Sequence, residues 1–204
     1  PLFRSARVSL AERIAIARRP DGLSALAVTV ITLAGIYTIY SYLAPFLQQS
    51  AHLSGDTVAL VLFLFGLGST AGNFLSGRAT DRVGPRRIVT RALTGLVVLF
   101  ALLSFVGTTF PPDIARWIVV PLIALWGFVG FSFPSAQQAY MVSLAPKLAP
   151  ITLSLNSSAI YLGASLGAFL GSLVVAHRPV VSVGWFGAVC ELVALAMFLW
   201  APRR

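Results

Sequence analysis

The chain predicts an all-α membrane protein with six transmembrane helices, and three observations carry that expectation. Apolar stretches long enough to cross a bilayer, which takes about 20 mostly apolar residues, recur six times along the 204 residues. Hydrophobic residues make up 57% of the chain and charged residues only 10%, against about a quarter charged in a soluble domain. The basic residues fall in alternate gaps: of 15 Lys and Arg, all but Arg116 and Arg178 lie before the first stretch, between the second and third, between the fourth and fifth, or at the C-terminus. That is a positive-inside distribution, with both termini cytoplasmic. Backbone polar groups in lipid must be satisfied within the segment, which makes each stretch a helix.

The net charge of +9 would suggest nucleic acid as partner in a soluble protein. Because the charges follow loop parity, they read instead as a topology signal and a surface for anionic lipid, with no nucleic-acid partner. The single Cys190 lies in an apolar run, excludes an intrachain disulfide and reads as a small buried hydrophobe. The opening is basic and polar, unlike a signal peptide. Its first residue, Pro1 rather than Met, suggests a piece of a longer protein.

Taken in order, residues 1–22 interleave Leu2, Phe3, Val8, Leu10, Ile14 and Ile16 with Arg4, Arg7, Arg13, Arg18 and Arg19. They form a cytoplasmic basic linker, either an interfacial amphipathic helix or disordered chain. Residues 23–201 form the six-helix bundle, with spans at Leu23–Leu47, Thr57–Gly77, Ile88–Gly107, Ile114–Gln137, Ile151–Ala176 and Val180–Ala201, and residues 202–204 are a cytoplasmic tail. Pro45 bends the first span. The outer connections are short, which makes sequential helices antiparallel neighbours, and Ser54 or Asp56 caps the second span. Gly163, Gly167 and Gly171 repeat every four residues in the fifth span, Gly68 and Gly72 in the second, with Gly127 and Gly130 in the fourth. Such faces let helix backbones approach closely.

Glu191 is the one acidic residue deep within an apolar stretch. An intramembrane carboxylate is costly and marks a candidate proton or substrate site, the alternative being an uncharged Glu hydrogen-bonded to a neighbouring helix. Tyr37, Tyr40, Ser41, Gln48, Gln137, Gln138, Asn156, Ser157, Ser158 and Tyr161 supply hydrogen bonds and aromatic faces without fixed charge. A pocket lined by them suits neutral, amphipathic or aromatic solutes, although each one alone could equally join helices. His52 and His177 lack metal-ligand spacing, and no nucleophile elbow or phosphate loop occurs. Neither an enzyme nor a cofactor is expected.

The most specific string is Gly77-Arg78-Ala79-Thr80-Asp81-Arg82-Val83-Gly84-Pro85-Arg86-Arg87. Physically it is a tight turn: Gly84 supplies permissive backbone geometry and Pro85 starts the next helix. The arginines hold it in the cytoplasm, and Asp81 can accept charge-assisted hydrogen bonds from them or from a helix start.

This string resembles the signature loop of the major facilitator superfamily: Gly, three variable residues, Asp, a basic residue, one variable residue, Gly, then basic residues. Gly77, Asp81, Arg82, Gly84, Arg86 and Arg87 match it, while Ala79 and Pro85 depart from it as in the looser copy of the C-terminal half. Tyr42-Leu43-Ala44-Pro45-Phe46-Leu47 and Asn156-Ser157-Ser158-Ala159-Ile160-Tyr161-Leu162-Gly163 resemble the drug:proton antiporter branch, including its arabinose-efflux-permease-like members.

The resemblance implies the C-terminal half of a twelve-helix fold, with two inverted three-helix repeats. It implies a bacterial inner-membrane exporter of small organic compounds or drugs, exchanging them for protons, with the N-terminal six-helix half as partner. The first, second, fourth and fifth spans then face a central cavity, with Tyr37, Tyr40, Gln138, Asn156 and Tyr161 as candidates to line it. Glu191, on a peripheral sixth span, stands away from that path, which puts the main proton carrier in the other half. Asp81 becomes a latch gripping that half. The alternatives are a sugar efflux or uptake carrier and a non-transporting six-helix scaffold subunit.

Overall fold

The computed structural model describes residues 20–201, so residues 1–19 of the expected linker and the tail lie outside the described residues, while 20–22 belong to the first helix. The elements are α1 (Pro20–Tyr40), α2 (Leu43–Ala51), α3 (Asp56–Val83), α4 (Pro85–Thr109), α5 (Pro112–Leu144), a 3₁₀ turn at Pro146–Leu148, α6 (Ala149–His177), a second 3₁₀ turn at Val180–Ser182, and α7 (Val183–Trp200). No strand occurs among the described residues. Six helical spans are long and apolar enough to cross a membrane.

The first span is two helices. α1 ends at Tyr40, and α2 begins at Leu43 after a break at Ser41 and Tyr42. Pro45 is the cause, because its nitrogen carries no proton for the Ser41 carbonyl one turn back. Phe46 resumes the ladder by donating to the Tyr42 carbonyl at 2.9 Å. α2 ends at His52 in a left-handed conformation (φ 52°), and Gly55 (φ 54°) precedes α3. Neither expected cap forms. Gly55 takes the N-cap position with no side-chain hydrogen bond, because its left-handed turn places Ser54 one residue too early and Asp56 inside the first helical turn.

Packing order departs from sequence order. The expectation that the short outer connections make sequential helices neighbours holds for α4 with α5 but fails for the first span with α3 and for α6 with α7, which touch only slightly; α3 and α4, joined at Gly84, also barely touch. Instead α3 lies against α5, α5 against α4, α4 against α7, α7 against α1, and α1 against α6. Glycine spacing explains the outer two of these contacts. A Cβ on Gly68 or Gly72 would strike the carbonyls of Ala124 or Phe128 on α5, and one on Gly127 would strike the Phe65 carbonyl on α3. Across the molecule, a Cβ on Gly163 would come within 2.5 Å of the Val30 carbonyl, and one on Gly167 would strike the Ala34 carbonyl. Both contacts are backbone against backbone.

The pattern is symmetric. Exchanging α1 with α5, α3 with α6 and α4 with α7 turns the α3–α5 contact into α6–α1 and the α4–α5 contact into α7–α1, and returns the α4–α7 contact to itself. An odd number of spans per repeat puts the second repeat upside down relative to the first, the inverted arrangement recurrent in transporters. The fold is thus an all-α membrane bundle of two inverted three-helix repeats. Its core is filled by Phe46, Leu47, Phe100, Leu103, Ile123 and Trp126, with a second cluster around Leu93, Phe133 and Phe198.

Candidate functional site

α1 has three working faces. Val30, Ala34 and Thr38 meet α6, and Thr38 Oγ1 reaches the Gly167 carbonyl at 3.3 Å. Gly35 and Ile39 meet α7. Leu33, Ile36, Tyr37 and Tyr40, at helical spacing, open onto a cavity of about 280 Å³. Phe65 of α3, Trp126, Gly130, Phe131 and Pro134 of α5, and Ile160 of α6 complete its lining. All these residues come from α1, α3, α5 and α6.

Five of the ten lining residues are aromatic. Tyr40 lies edge-on to Tyr37 (centroids 5.7 Å apart) and to Trp126 (6.4 Å), and Phe65 lies edge-on to Trp126 (5.0 Å) and Phe131 (6.1 Å). Edge-to-face contacts of this kind stabilise the wall beyond its area burial. No charged side chain is among the lining residues. The cavity can therefore hold an uncharged or aromatic solute through ring faces, with the two tyrosines as its polar groups.

Of the five cavity candidates, the structure brings Tyr37 and Tyr40 together in this lining. Tyr161 is 74% exposed, next to Ile160 but outside the lining. Gln138 is exposed, whereas its neighbour Gln137 is fully buried. Asn156 is buried too, and accepts from Thr29 Oγ1 at 2.8 Å. Gln137 Nε2 donates to Thr29 Oγ1 (3.1 Å) and to the Ala25 carbonyl (2.9 Å). Three polar side chains thus join α1, α5 and α6 near one end of the bundle. Thr29 gave no signal in the sequence, since one Thr in an apolar helix ordinarily satisfies itself on its own backbone.

Glu191 is fully buried, and neither of its carboxyl oxygens has a hydrogen-bond partner. The polar side chain beside it on the neighbouring helix is Thr32 of α1. Its Oε1 occupies the space left by Gly35, where an added Cβ would lie 2.8 Å away. Thr32 Oγ1, on the same side of α1, is buried and equally without a partner. The carboxyl is in the α1–α7 seam, behind the cavity wall.

At the α3–α4 turn, α3 continues past Gly77 to Val83, so Gly77, Asp81 and Arg82 are helical and Gly84 alone makes the turn (φ 88°, ψ 148°). That left-handed φ is the reason for glycine, and Pro85 starts α4 where no backbone donor is needed. Asp81 is exposed, and among the described residues it has no ion pair or hydrogen bond and caps no helix. Arg86 turns to the end of α7. Its Nη2 donates to the carbonyls of Phe198 (3.2 Å), Leu199 (3.5 Å) and Ala201 (3.3 Å), and its guanidinium lies 5.3 Å from the Phe198 ring centre. Arg82 and Arg87 are exposed.

Comparison with known proteins places this architecture. The family model of the Major Facilitator Superfamily matches residues 25–204. A probable sugar efflux transporter of Helicobacter pylori (strain P12) is 30% identical over 187 residues, which are 92% of this chain and 46% of that protein. The inner membrane transport protein YdhP of Escherichia coli O157:H7 is 30% identical over 202 residues, 98% of this chain and 50% of its own length. The uncharacterized MFS-type transporter YbcL of Bacillus subtilis (strain 168) is 27% identical over 188 residues, 92% and 47%. The chain spans about half the length of the relatives it matches. With six membrane spans in two inverted triplets and a family model matched along nearly its whole length, the chain is an integral membrane protein that belongs to the major facilitator superfamily of transporters.

Proposed function

We propose that this chain forms one half of a bacterial inner-membrane carrier that exports small, lipophilic organic compounds in exchange for protons, by alternating access. The observation that carries the reading is the uncharged, ring-walled cavity enclosed by α1, α3, α5 and α6. Tyr37 and Tyr40 touch the solute, and the Thr29–Gln137–Asn156 cluster holds the three helices behind it in register.

A second half is supported by the two outermost helices of the packing order. α3 exposes the amide of Asn73, and α6 exposes Ser154 and the phenol of Tyr161. Polar groups at membrane depth need protein or a water-filled cavity against them, not lipid tails. The partner half supplies that cover, and Gln138 and Tyr161 then face the central space. The unpaired Asp81 finds its partner on that half when the carrier is open outward, with the α3–α4 turn in the cytoplasm. The coupling proton binds mainly in the other half, because no carboxylate lines this cavity. Glu191 serves at most as a secondary proton site, in the α1–α7 seam.

A sugar efflux carrier is the second reading, favoured by the names of the Helicobacter relatives. A polyhydroxylated solute leaves hydrogen bonds unmade against so apolar a wall, which ranks it second. The deciding experiment uses the full-length protein in proteoliposomes with an imposed pH gradient and a panel of lipophilic cations, neutral drugs and sugars. Gradient-dependent movement of the lipophilic compounds supports the proposal. Movement of sugars alone assigns the second reading, and movement of nothing by folded protein leaves a scaffold subunit as the better description.

A further inference from the structure

α3 and α4 barely touch, yet both pack on α5, and the gap between them is a groove of about 200 Å³. Leu75 and Ala79 of α3 form one wall and Ile88 and Ala92 of α4 the other, with Phe128 and Val129 of α5 as the floor. Two serines also line it, but their hydroxyls are spent: Ser76 Oγ donates to the Ser132 carbonyl at 2.9 Å, and Ser132 Oγ to the Phe128 carbonyl at 2.8 Å. The groove is therefore apolar apart from one charge, the exposed guanidinium of Arg91. Among the described residues Arg91 has no ion pair and no hydrogen bond.

The groove opens away from the substrate cavity. Phe128 and Ser132 each stand two residues from Gly130 of the cavity wall, which is about 200° round an α-helix of 3.6 residues per turn. Below Arg91, α4 exposes Thr94, Val98, Leu102 and Phe105 in one line, the surface a lipid tail would follow. Arg91 lies six residues into α4, about 9 Å at 1.5 Å per residue, within reach of the headgroup layer for a side chain that extends its charge toward water. Arg78, Arg82, Arg86 and Arg87 surround the same end of the two helices and give it a strongly positive field.

We propose that this groove is a binding site for an anionic phospholipid of the cytoplasmic leaflet, with the phosphodiester on Arg91 and one acyl chain laid over Phe128 and Val129. Charge complementarity selects this occupant: a zwitterionic lipid fills the apolar part equally well but gains less from an unpaired arginine in a positive field. The cytoplasmic placement rests on the orientation proposed above. The binding itself can be read in detergent without any transport measurement, so failure of one is distinguishable from failure of the other.

The test is native mass spectrometry of the full-length protein with phosphatidylglycerol or phosphatidylcholine of matched chains, for wild type, Arg91→Gln and Arg78→Gln. Arg78 is a nearby control of equal charge, stacked 3.9 Å over the Phe74 ring and outside the groove lining. Wild type should retain phosphatidylglycerol in preference to phosphatidylcholine. Arg91→Gln should lose about fivefold of that preference, the equivalent of ~1 kcal/mol per basic residue at an anionic surface, while Arg78→Gln keeps most of it. Equal retention of both lipids by wild type overturns the proposal, as does an unchanged preference in Arg91→Gln or an equal fall in the two variants. Displacement of the lipid by excess inorganic phosphate would reassign Arg91 to a soluble anion.

Discussion

Gly35 is where one added carbon has the largest local effect. Its hydrogen faces Glu191 Oε1, the Cys190 Cβ and the Gly187 carbonyl, at 2.8, 3.0 and 3.0 Å from where a Cβ would stand. Gly35→Ala should therefore cost about 1–3 kcal/mol by overpacking, seen as a lower melting temperature in detergent. The double variant Gly35→Ala/Glu191→Ala should recover much of that loss, because the added methyl then points into freed space; no recovery would mean that Gly187 and Cys190, not the carboxyl, set the limit. Glu191→Gln alone should fold and keep gradient-driven transport within about twofold, since its carboxyl lies outside the cavity lining. Glu191 was legible from its isolation in an apolar run. Its place opposite Gly35 and Thr32 was not, because the two ends of the chain meet there and no local pattern records the meeting. Asn156 and Gln137 show the same limit: a polar residue in a span announces that it needs company but not whether the company is solute or helix.

Among elements, spans were easy to read and partners were not. Hydropathy and loop charge place six helices to within a turn or so, except where α3 and α5 run on past Gly77 and Gln137. Short connections led to a wrong pairing because they restrict only the ends of helices, whereas glycine spacing decides which sides can approach. The two contacts related by the inverted repeat give a paired expectation. Gly167→Val and Gly72→Val both drive a side chain into a facing carbonyl, of Ala34 and Phe128 respectively. Each should destabilise by about 1–3 kcal/mol in the same melting assay. Arg86 belongs at this scale as well, since it holds the last turn of α7. A cation at a helix C-terminus is worth about 0.3–1 kcal/mol, and up to about 2 kcal/mol when partly buried. Arg86→Gln should accordingly speed amide hydrogen exchange in Phe198 to Trp200 several-fold while leaving exchange in the middle of α7 unchanged.

For the whole molecule, the proposed function sets a second half against the two outermost helices of an open row. If Asp81 grips that body in one of two states, Asp81→Asn should shift the balance between the states without altering solute contacts. Cysteines placed at the end of the bundle nearest Gly84 should then react faster with a membrane-impermeant thiol reagent applied from the cytoplasm, with the solute affinity unchanged. Equal reactivity and equal transport would remove the latch from the mechanism. Further mechanical information lies in the break at Ser41 and Tyr42. α1 is bound to α6 and α7, but α2 packs on α5, α4 and the Val180–Ser182 turn, so one membrane crossing is shared between two sets of neighbours. The crossing is jointed rather than stiff, and its joint adjoins Tyr40 at the cavity. Under the proposed function, that joint is where one end of the crossing would turn through a few backbone torsions while the long rod of α1 keeps its seat, much as a door turns on its pin without flexing its frame.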